Sequence, residues 1–372
     1  MGNFQPTVST YKQGAKTLPR NYFTSEAILE KEMSVIFAEE WNCVGREDQI
    51  KNAGDYFLYE IAGESIIVIR DSKGNINAFF NVCRHRGTRI CQDAKGHFVK
   101  HLQCPYHAWT YNNSGSLVDA PHMHEVRNFN SKEYSLFGAA TAVWEGFIFV
   151  NISQKPKSFE REWSILKDRL KRYGLSKLKV GFRVKYDVAA NWKLVFQNYN
   201  ECLHCPSIHP TLSKVLPYKS GANDLVTGKF LGGYMEIRAP NTSATMSGQM
   251  CGRILSADIS KFDLKRAYYY TMMPNFMLSI HPDYVNYYLI KPISVNRTII
   301  ESEWMFHPDT LEEKKNNIRD AVEFWELTNR QDWDIIERSQ LGISSVRYKP
   351  GPYSPRESIP AAWDREYLRM MK

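Results

Sequence analysis

Two short segments of this chain each combine a cysteine with a histidine. Cys83 and His85 lie in the sequence CRH, Cys104 and His107 lie in CPYH, and eighteen residues separate the two segments. A binuclear iron–sulfur cluster needs four ligands, and two thiolates on one iron with two imidazoles on the other raise its potential. A structural zinc site uses the same donors, but zinc fingers normally keep their cysteines and histidines apart. The mixed pairs therefore favour an iron–sulfur cluster held by two facing loops.

A second group of metal-binding residue types lies in the sequence NYNECLHCPSIHP, residues 198–210. We predict that Pro206 ends a helix here, so that His204 and His209 can converge on one metal ion. A mononuclear ferrous site that activates dioxygen uses two histidines and one carboxylate and leaves other positions open. Asp332 and Asp334, on a predicted C-terminal helix, are the candidates for that carboxylate.

Two other interpretations of this second group stay open. A pair of histidines alone is more often structural than catalytic, and Cys202, Cys205 and His209 could form a zinc site. The cluster upstream favours the ferrous site, because an electron-transfer cluster in a soluble enzyme needs an acceptor.

Composition is typical of a soluble enzyme with two domains. The chain has 372 residues, is 43% hydrophobic and has no apolar run of membrane-spanning length. Its net charge of +8 is spread without long basic runs, which favours a solvated surface, able to dock an acidic electron donor, over a nucleic-acid site. Seven cysteines and an N-terminus without an apolar core argue against a disulfide framework and a secretory signal. We therefore expect a cytoplasmic protein that binds neither nucleic acid nor membrane.

The elements that position these residues fall into three stretches. An amphipathic helix, capped by Thr24 or Ser25, is predicted to run to Trp41. In residues 43–152 the hydrophobic pattern has a period of two, and turn pairs separate the segments. This predicts an all-β region around both Cys/His loops. SQKPKSFE, residues 153–160, is a predicted linker to a mixed region. In that region we predict helices over Trp163–Tyr173, Trp192–Leu203 and Leu311–Ser339, and strands near 226–238, 266–273, 276–281, 285–292 and 297–307.

These motifs resemble those of one family over nearly the whole chain. CRH-x18-CPYH, a later E-x2-H-x4-H and an acidic residue on a following helix resemble the terminal oxygenase (alpha) subunits of Rieske non-heme iron oxygenases. The resemblance implies an α+β fold with an N-terminal helix, an all-β Rieske domain and a helix-grip (START-like) catalytic domain of antiparallel sheet and helices. The implied boundaries are 1–42 for an N-terminal segment packing on the catalytic domain, 43–155 for the Rieske [2Fe-2S] domain and 156–372 for the catalytic domain.

The resemblance also implies the ligands of both metal centres. Asp332 is preferred to Asp334 because, with Glu337, it fits the acidic D-x4-E pattern of the family. The implied ligands are Cys83, His85, Cys104 and His107 for the [2Fe-2S] cluster, and His204, His209 and Asp332 for a mononuclear Fe(II).

Glu201 departs from most ring-hydroxylating members, which have Asp three residues before the first iron histidine. In the family this carboxylate bridges a cluster histidine of one subunit to the iron site of the next. The resemblance therefore implies that Glu201 is an electron-transfer bridge between the subunits of a homotrimer. Glu at this position, and the sequence of residues 324–358, resemble the branch that demethylates quaternary ammonium compounds: glycine betaine, carnitine and stachydrine.

The implied activity is that of the oxygenase component of a Rieske-type monooxygenase. It would use O2 to hydroxylate an N-methyl group of a glycine betaine-like compound and release formaldehyde. Because a permanent cation is recognised by aromatic faces or carboxylates, the 13% aromatic content suits such a substrate. The chain has no GxGxxG motif, so NAD(P)H would act only through a separate reductase with flavin and an iron–sulfur centre. The alternatives are an aromatic ring-hydroxylating alpha subunit and a non-catalytic Rieske or zinc-binding protein.

Overall fold

A computed structural model describes residues 3–313 and 315–372, and the chain divides into two compact units. The small unit is Met33–Glu162, and the large unit combines Met1–Glu32 with Trp163–Lys372. The units divide after residues 32 and 162, whereas the domain boundaries expected from the sequence lie after residues 42 and 155. The α+β fold class predicted from the sequence is confirmed.

The N-terminal helix is shorter than predicted. Strand β1 (Gln5–Pro6) is followed by helices α1 (Asn21–Thr24) and α2 (Glu26–Glu32), and a π-helical turn (Met33–Phe37) follows α2. The Ser25 hydroxyl accepts a hydrogen bond from the backbone of Ile28, as expected of a cap. The helical turns stop well before Trp41 because the Asn42 side chain donates to the carbonyls of Phe37 and Glu40.

The small unit consists mainly of two antiparallel sheets. Seven strands form one sheet in the order β2-β11-β10-β5-β4-β3-β6, and β7-β8-β9 form the other. The strands are β2 (Asn42–Arg46), β3 (Asp55–Ile61), β4 (Glu64–Arg70), β5 (Ile76–Phe80), β6 (Lys95–His97), β7 (His101–Gln103), β8 (Thr110–Asn112), β9 (Leu117–Asp119), β10 (Gly138–Trp144) and β11 (Phe147–Asn151).

Strand β4 lies in the region predicted to be all-β and is apolar at most positions. Its alternate side chains point to opposite faces of the sheet. Ile67 and Ile69 pack in one buried cluster with Cys83 and Cys104, whereas Ile66 and Val68 pack in another with Val150. Both faces are therefore buried, and one of them supports the loops that carry the Cys/His pairs.

The large unit is built on one antiparallel sheet of eight strands in the order β1-β13-β14-β15-β16-β17-β18-β12. Its strands after β1 are β12 (Lys179–Val188), β13 (Ala222–Leu225), β14 (Phe230–Glu236), β15 (Arg266–Met272), β16 (Phe276–Ile280), β17 (Tyr284–Ser294) and β18 (Arg297–Phe306). The helices that remain are α3 (Phe159–Leu170), α4 (Trp192–Tyr199), α5 (Cys205–Ile208), α6 (Pro210–Val215), α7 (Pro308–Glu312), α8 (Ile318–Ile343) and α9 (Ser358–Met370).

One face of the large sheet meets helices α4 and α8. Tyr199 of α4 is hydrogen-bonded to Ser279 of β16 at 2.9 Å, and Tyr288 of β17 donates to Asn329 of α8 at 3.1 Å. Tyr269 of β15 lies directly opposite Ser279 in the register. Residues paired across strands lie on the same face. Tyr269 therefore faces these two helices as well.

Several predicted elements are divided in the structure. The strand expected near 226–238 is a hairpin of β13 and β14, with Gly228 at a φ of +80° in its turn. The helix expected over Leu311–Ser339 is two helices, because Glu313 leaves the helical conformation and forms an ion pair with Arg253 at 3.2 Å. Strand β12 and helix α9 were not predicted.

The N-terminal segment of the large unit is tied to its C-terminal part. Thr10 Oγ1 donates to Ser358 Oγ at 2.8 Å, and the Tyr11 hydroxyl donates to the carbonyl of Tyr353 at 2.7 Å. Strand β1 also pairs with β13. Residues from both ends of the sequence therefore complete this unit. Within the described residues, no helix has the length and apolar character needed to span a bilayer.

Candidate metal centres

The two Cys/His pairs lie in turns with the same hydrogen-bonding pattern. In the first, after β5, the Cys83 amide donates to the carbonyl of Thr88, and Gly87 donates back to the carbonyl of Cys83. In the second, between β7 and β8, Cys104 donates to Trp109, and Ala108 donates back to Cys104. Each cysteine is thus fixed in a short closed loop.

The two turns bring four donor side chains together. The rings of His85 and His107 are 4.7 Å apart between centroids. Cys83 and Cys104 are 2% and 3% exposed, whereas His85 is exposed. Burial raises the pKa of the Cys104 thiol, and a bound metal would hold the thiolate instead. Buried thiols beside outward-facing imidazoles fit a binuclear cluster with sulfur and nitrogen ligands on different irons.

Two residues that the sequence reasoning did not single out position this group. The Trp109 ring stacks on His85 at 4.9 Å and 6°, and Trp109 itself is buried. The Tyr111 hydroxyl lies 3.4 Å from Cys83 Sγ. Hydrogen bonds to ligand sulfurs tune the potential of such clusters. In the sequence, the only indication of a role for Trp109 and Tyr111 is that both closely follow the CPYH motif.

In the large unit, three further donor atoms converge. His204 Nε2 lies 3.2 Å from His209 Nε2, and Asp332 Oδ1 lies 3.3 Å from the first and 2.9 Å from the second. Ligands at about 2.1 Å from a metal and at right angles to one another are about 3.0 Å apart. The three atoms therefore fit one face of an octahedral site, the two-histidine, one-carboxylate arrangement typical of ferrous oxygenases.

The second nitrogen of each histidine is also engaged. Glu201 forms a short hydrogen bond with His204 Nδ1, and Gln331 Oε1 lies 2.8 Å from His209 Nδ1. Such contacts keep the proton on Nδ1 and leave Nε2 free for a metal. Gln331 was not predicted to have a role at this site. It precedes Asp332 on α8, and only the folded chain shows that its side chain contacts His209.

The charges of this group suit a cation. Burial alone would lower the pKa of His204, but hydrogen bonds with Asp332 and Glu201 outweigh it and raise the pKa to about 10. Burial would raise the pKa of Asp332, yet its contacts with His204 and His209 keep that pKa below its ordinary value. Asp332 is therefore held as a carboxylate, the form that binds a metal ion.

Asp334, the other candidate carboxylate, lies apart from this group. Its side chain is 61% exposed and forms an ion pair with Arg338 at 2.7 Å. On a helix, a residue two positions on from Asp332 points away from it.

The path of the chain between the two histidines corrects one prediction. Helix α4 ends at Tyr199, ahead of both histidines, and Pro206 lies in the first turn of α5. Proline is accommodated there because the first amides of a helix have no partner within it. Pro206 therefore helps to begin a helix, and the prediction that it ends one is wrong.

Cys202 and Cys205 also differ from expectation. The structure joins them in a disulfide, with their Cα atoms 4.9 Å apart. The alternative zinc site is therefore wrong in this state, because neither sulfur is a free thiolate. The remaining cysteines, Cys43, Cys83, Cys91, Cys104 and Cys251, are free and buried, so Cys202–Cys205 is a single local bridge and not part of a framework.

A cavity of about 130 Å³ lies beside His204, His209 and Asp332, which line it. Its size compares with a cavity of about 150 Å³ that admits benzene. Its charged lining residues other than the histidines are Glu201, Asp332 and Arg356. The aromatic lining residues are Tyr199, Tyr218, Tyr234, Tyr269, Tyr288, Trp325 and Trp333. The cavity is therefore small, aromatic and charged at several points.

Two family descriptions match the chain. Residues 40–130 match the Rieske [2Fe-2S] domain, and residues 175–372 match the ring-hydroxylating alpha subunit (catalytic domain). The matched segments contain every residue of the two groups described above.

Known proteins and solved structures resemble the chain over most of its length. A glycine betaine monooxygenase oxygenase subunit of Pseudomonas aeruginosa (strain UCBPP-PA14) is 31% identical, over 91% of this chain and 85% of its own. The carnitine monooxygenase oxygenase subunit of Escherichia coli (strain K12) is 34% identical over 54% of each chain. The quaternary ammonium Rieske monooxygenase CntA in complex with L-carnitine is 24% identical, with a TM-score of 0.77 over 96% of both chains. The likeness to CntA shows a shared fold.

Proposed function

Since the chain belongs to the family of ring-hydroxylating oxygenase alpha subunits and contains a Rieske [2Fe-2S] domain, we propose that it removes an N-methyl group from a small quaternary ammonium compound. It is an oxidoreductase with a Rieske cluster and a mononuclear iron, and it takes electrons from a separate reductase. The non-catalytic alternative is contradicted, because residues 175–372 match a catalytic domain.

One observation carries the proposal: the triad of His204, His209 and Asp332 opens on a small aromatic cavity. We assign these three residues as the iron ligands. Iron held there would supply the activation of dioxygen for hydroxylation of a carbon atom. Glu201 and Gln331 would hold the Nδ1 protons of the two histidines and so fix their orientation.

The lining of the cavity suits a methylated ammonium group. Such a cation cannot donate an N–H hydrogen bond, so it is recognised by π faces and by carboxylates. Tyr269 and Tyr288 reach the cavity from the sheet, Trp325 reaches it from α8, and Glu201 and Asp332 supply negative charge. A cavity of about 130 Å³ also favours a compact substrate over a fused-ring one.

The products follow from the balance of the reaction. Dioxygen, two electrons and two protons convert one N-methyl group to N-hydroxymethyl and release water. The hydroxymethyl group then leaves as formaldehyde, with the loss of a proton, and the nitrogen keeps the electron pair of the broken C–N bond. The proposed substrate is a glycine betaine-like compound, in keeping with the full-length relatives.

The proposal extends to the cluster and to the assembly. Cys83, His85, Cys104 and His107 are the proposed cluster ligands, and exposed His85 is reachable by a protein donor. We further propose a homotrimer in which Glu201 bridges a cluster histidine of one subunit to the iron site of the next, so that electrons pass between them. A cytoplasmic location is proposed as well, supported by Cys43, Cys91 and Cys251, which are neither proposed cluster ligands nor part of a disulfide.

The test uses the holoenzyme with a surrogate reductase and NADH. Formaldehyde, O2 uptake and NADH oxidation are measured with glycine betaine, L-carnitine, choline and benzoate. We expect one formaldehyde for each O2 and each NADH consumed with at least one of the betaines. Oxygen consumed only with benzoate, with a dihydrodiol as product, would establish the ring-hydroxylating alternative instead.

A further inference from the structure

Arg356 lies in a short turn (Pro355–Glu357) just before α9 and lines the cavity. Among the described lining residues it is the one side chain with a permanent positive charge. It is half-buried, and its guanidinium lies 5.5 Å from the centre of the Tyr218 ring. It forms no ion pair and donates no side-chain hydrogen bond within the described part of the chain.

Two other half-buried arginines of the large unit, Arg169 and Arg172, have carboxylate partners. Arg169 donates to Asp224 at 2.8 Å, and Arg172 donates to both oxygens of Asp263 at 3.1 and 3.0 Å. An anionic ligand group would supply the missing partner, because Arg binds carboxylates through paired hydrogen bonds.

The cavity has further donors without partners. Tyr269 Oη and Trp333 Nε1 are buried and have no hydrogen-bond partner among the described residues. Both residues line the cavity. Together with Arg356 they indicate a ligand that carries hydrogen-bond acceptors as well as a methylated cation.

We propose that Arg356 binds the carboxylate of a zwitterionic substrate and thereby selects betaines over choline. This assignment rests on the proposed function. Glu201 and Asp332 are engaged with the metal-binding histidines, whereas Arg356 stands on another element beside Tyr218. A betaine matches this division of charge, with its ammonium group towards the carboxylates and aromatic rings and its carboxylate towards Arg356. Choline carries the cation and lacks the anion.

The test compares Arg356→Gln and Arg356→Lys with a matched control, Arg365→Gln. Arg365 is also half-buried, and its Nη1 has no partner among the described residues, but it is not one of the residues that line the cavity. Dissociation constants for glycine betaine, L-carnitine and choline are measured by calorimetry on the holoenzyme, and KM and kcat by formaldehyde release. We expect Arg356→Gln to weaken betaine binding by about 10- to 100-fold and to change choline binding by less than about twofold. Arg356→Lys should lose less, and Arg365→Gln should match the wild type.

Equal losses for betaines and choline, or no loss for either, would overturn the assignment. The visible spectrum of the cluster and the Tm verify that each variant is folded, and Arg356→Lys carries the test if the Gln variant is not. A wild-type enzyme that demethylates no quaternary ammonium compound would overturn the proposed function, and this assignment with it. The wild-type result therefore tests the proposed function, and the comparison of the variants tests the role of Arg356.

Discussion

Asp332 and Asp334 have opposite environments although they are two residues apart. Asp332 contacts both histidines, whereas Asp334 is exposed and paired with Arg338. We expect Asp332→Ala to lose the mononuclear iron and all oxygen activation, and Asp334→Ala to keep both. Iron content, O2 uptake and the cluster spectrum, which should not change in either variant, measure this. Iron loss in Asp334→Ala alone would mean that the third ligand is misassigned.

A second prediction for a single residue concerns Gln331. Its Oε1 lies 2.8 Å from His209 Nδ1, so it holds the ring that offers Nε2 to the metal. Loss of such a contact typically costs about 10- to 100-fold in metal affinity. We expect Gln331→Leu to release iron to a chelator at a lower chelator concentration than the wild type. Gln331→Glu keeps an acceptor and should retain iron; equal iron loss in both variants would contradict the role assigned to this contact.

The sequence predicted the residues with unusual chemistry and missed those defined by contact alone. His204, His209 and Asp332 were grouped from their types and spacing, and the structure brings them together; their role as ligands stays a prediction. Gln331 and Arg356 were not singled out, because glutamine and arginine are common surface residues. Only the folded chain shows that one contacts a histidine and the other lines the cavity.

At the scale of elements, Asp263 joins the turn after α3 to strand β15. It accepts hydrogen bonds from Arg172, Ser260 and Tyr268. Burial alone would raise the pKa of Asp263, but these bonds hold it well below its ordinary value. Because the folded pKa is lowered, the stabilisation is present above the unfolded pKa of about 3.9 and is lost as the pH falls towards the folded pKa.

We therefore expect Asp263→Asn to lower the free energy of unfolding by about 2 kcal/mol at pH 7. The difference from the wild type should shrink once the pH falls below about 4. Urea denaturation across pH 7 to 3 measures it, and Asp258→Asn, at an exposed residue of the same loop, is the matched control. A difference that does not change with pH would contradict the electrostatic explanation.

Helices and strands were predicted correctly where one local sequence pattern was strong. Residues 43–152 were predicted to be all-β from their period and turn pairs, and β4, whose two faces are both buried, is one of the strands found there. The prediction that Pro206 ends a helix was wrong, because proline can end a helix or begin one, and the surrounding contacts decide which. Strand β12 was missed because much of it is only half-buried, so its pattern is weak.

For the whole molecule, the proposed exchange of electrons between subunits predicts complementation. Cys83→Ser should destroy the cluster and His204→Ala the iron site, so each variant alone should be inactive. In a ring of head-to-tail subunits, some interfaces of a mixed oligomer would join an intact cluster to an intact iron. We expect partial formaldehyde release from mixed oligomers verified by two different affinity tags. Verified mixtures without activity would show that electrons pass within one chain.

The ties between the N-terminal segment and the C-terminal part set an order of events during translation. The small unit is one continuous stretch of sequence, so it can fold as soon as it leaves the ribosome. Tyr11, by contrast, must wait for Tyr353, which lies 342 residues later. At about 5–20 residues per second, that wait is roughly 20 to 70 s. For this interval the nascent N-terminal segment lacks the C-terminal hydrogen-bond partners that hold it in the finished protein.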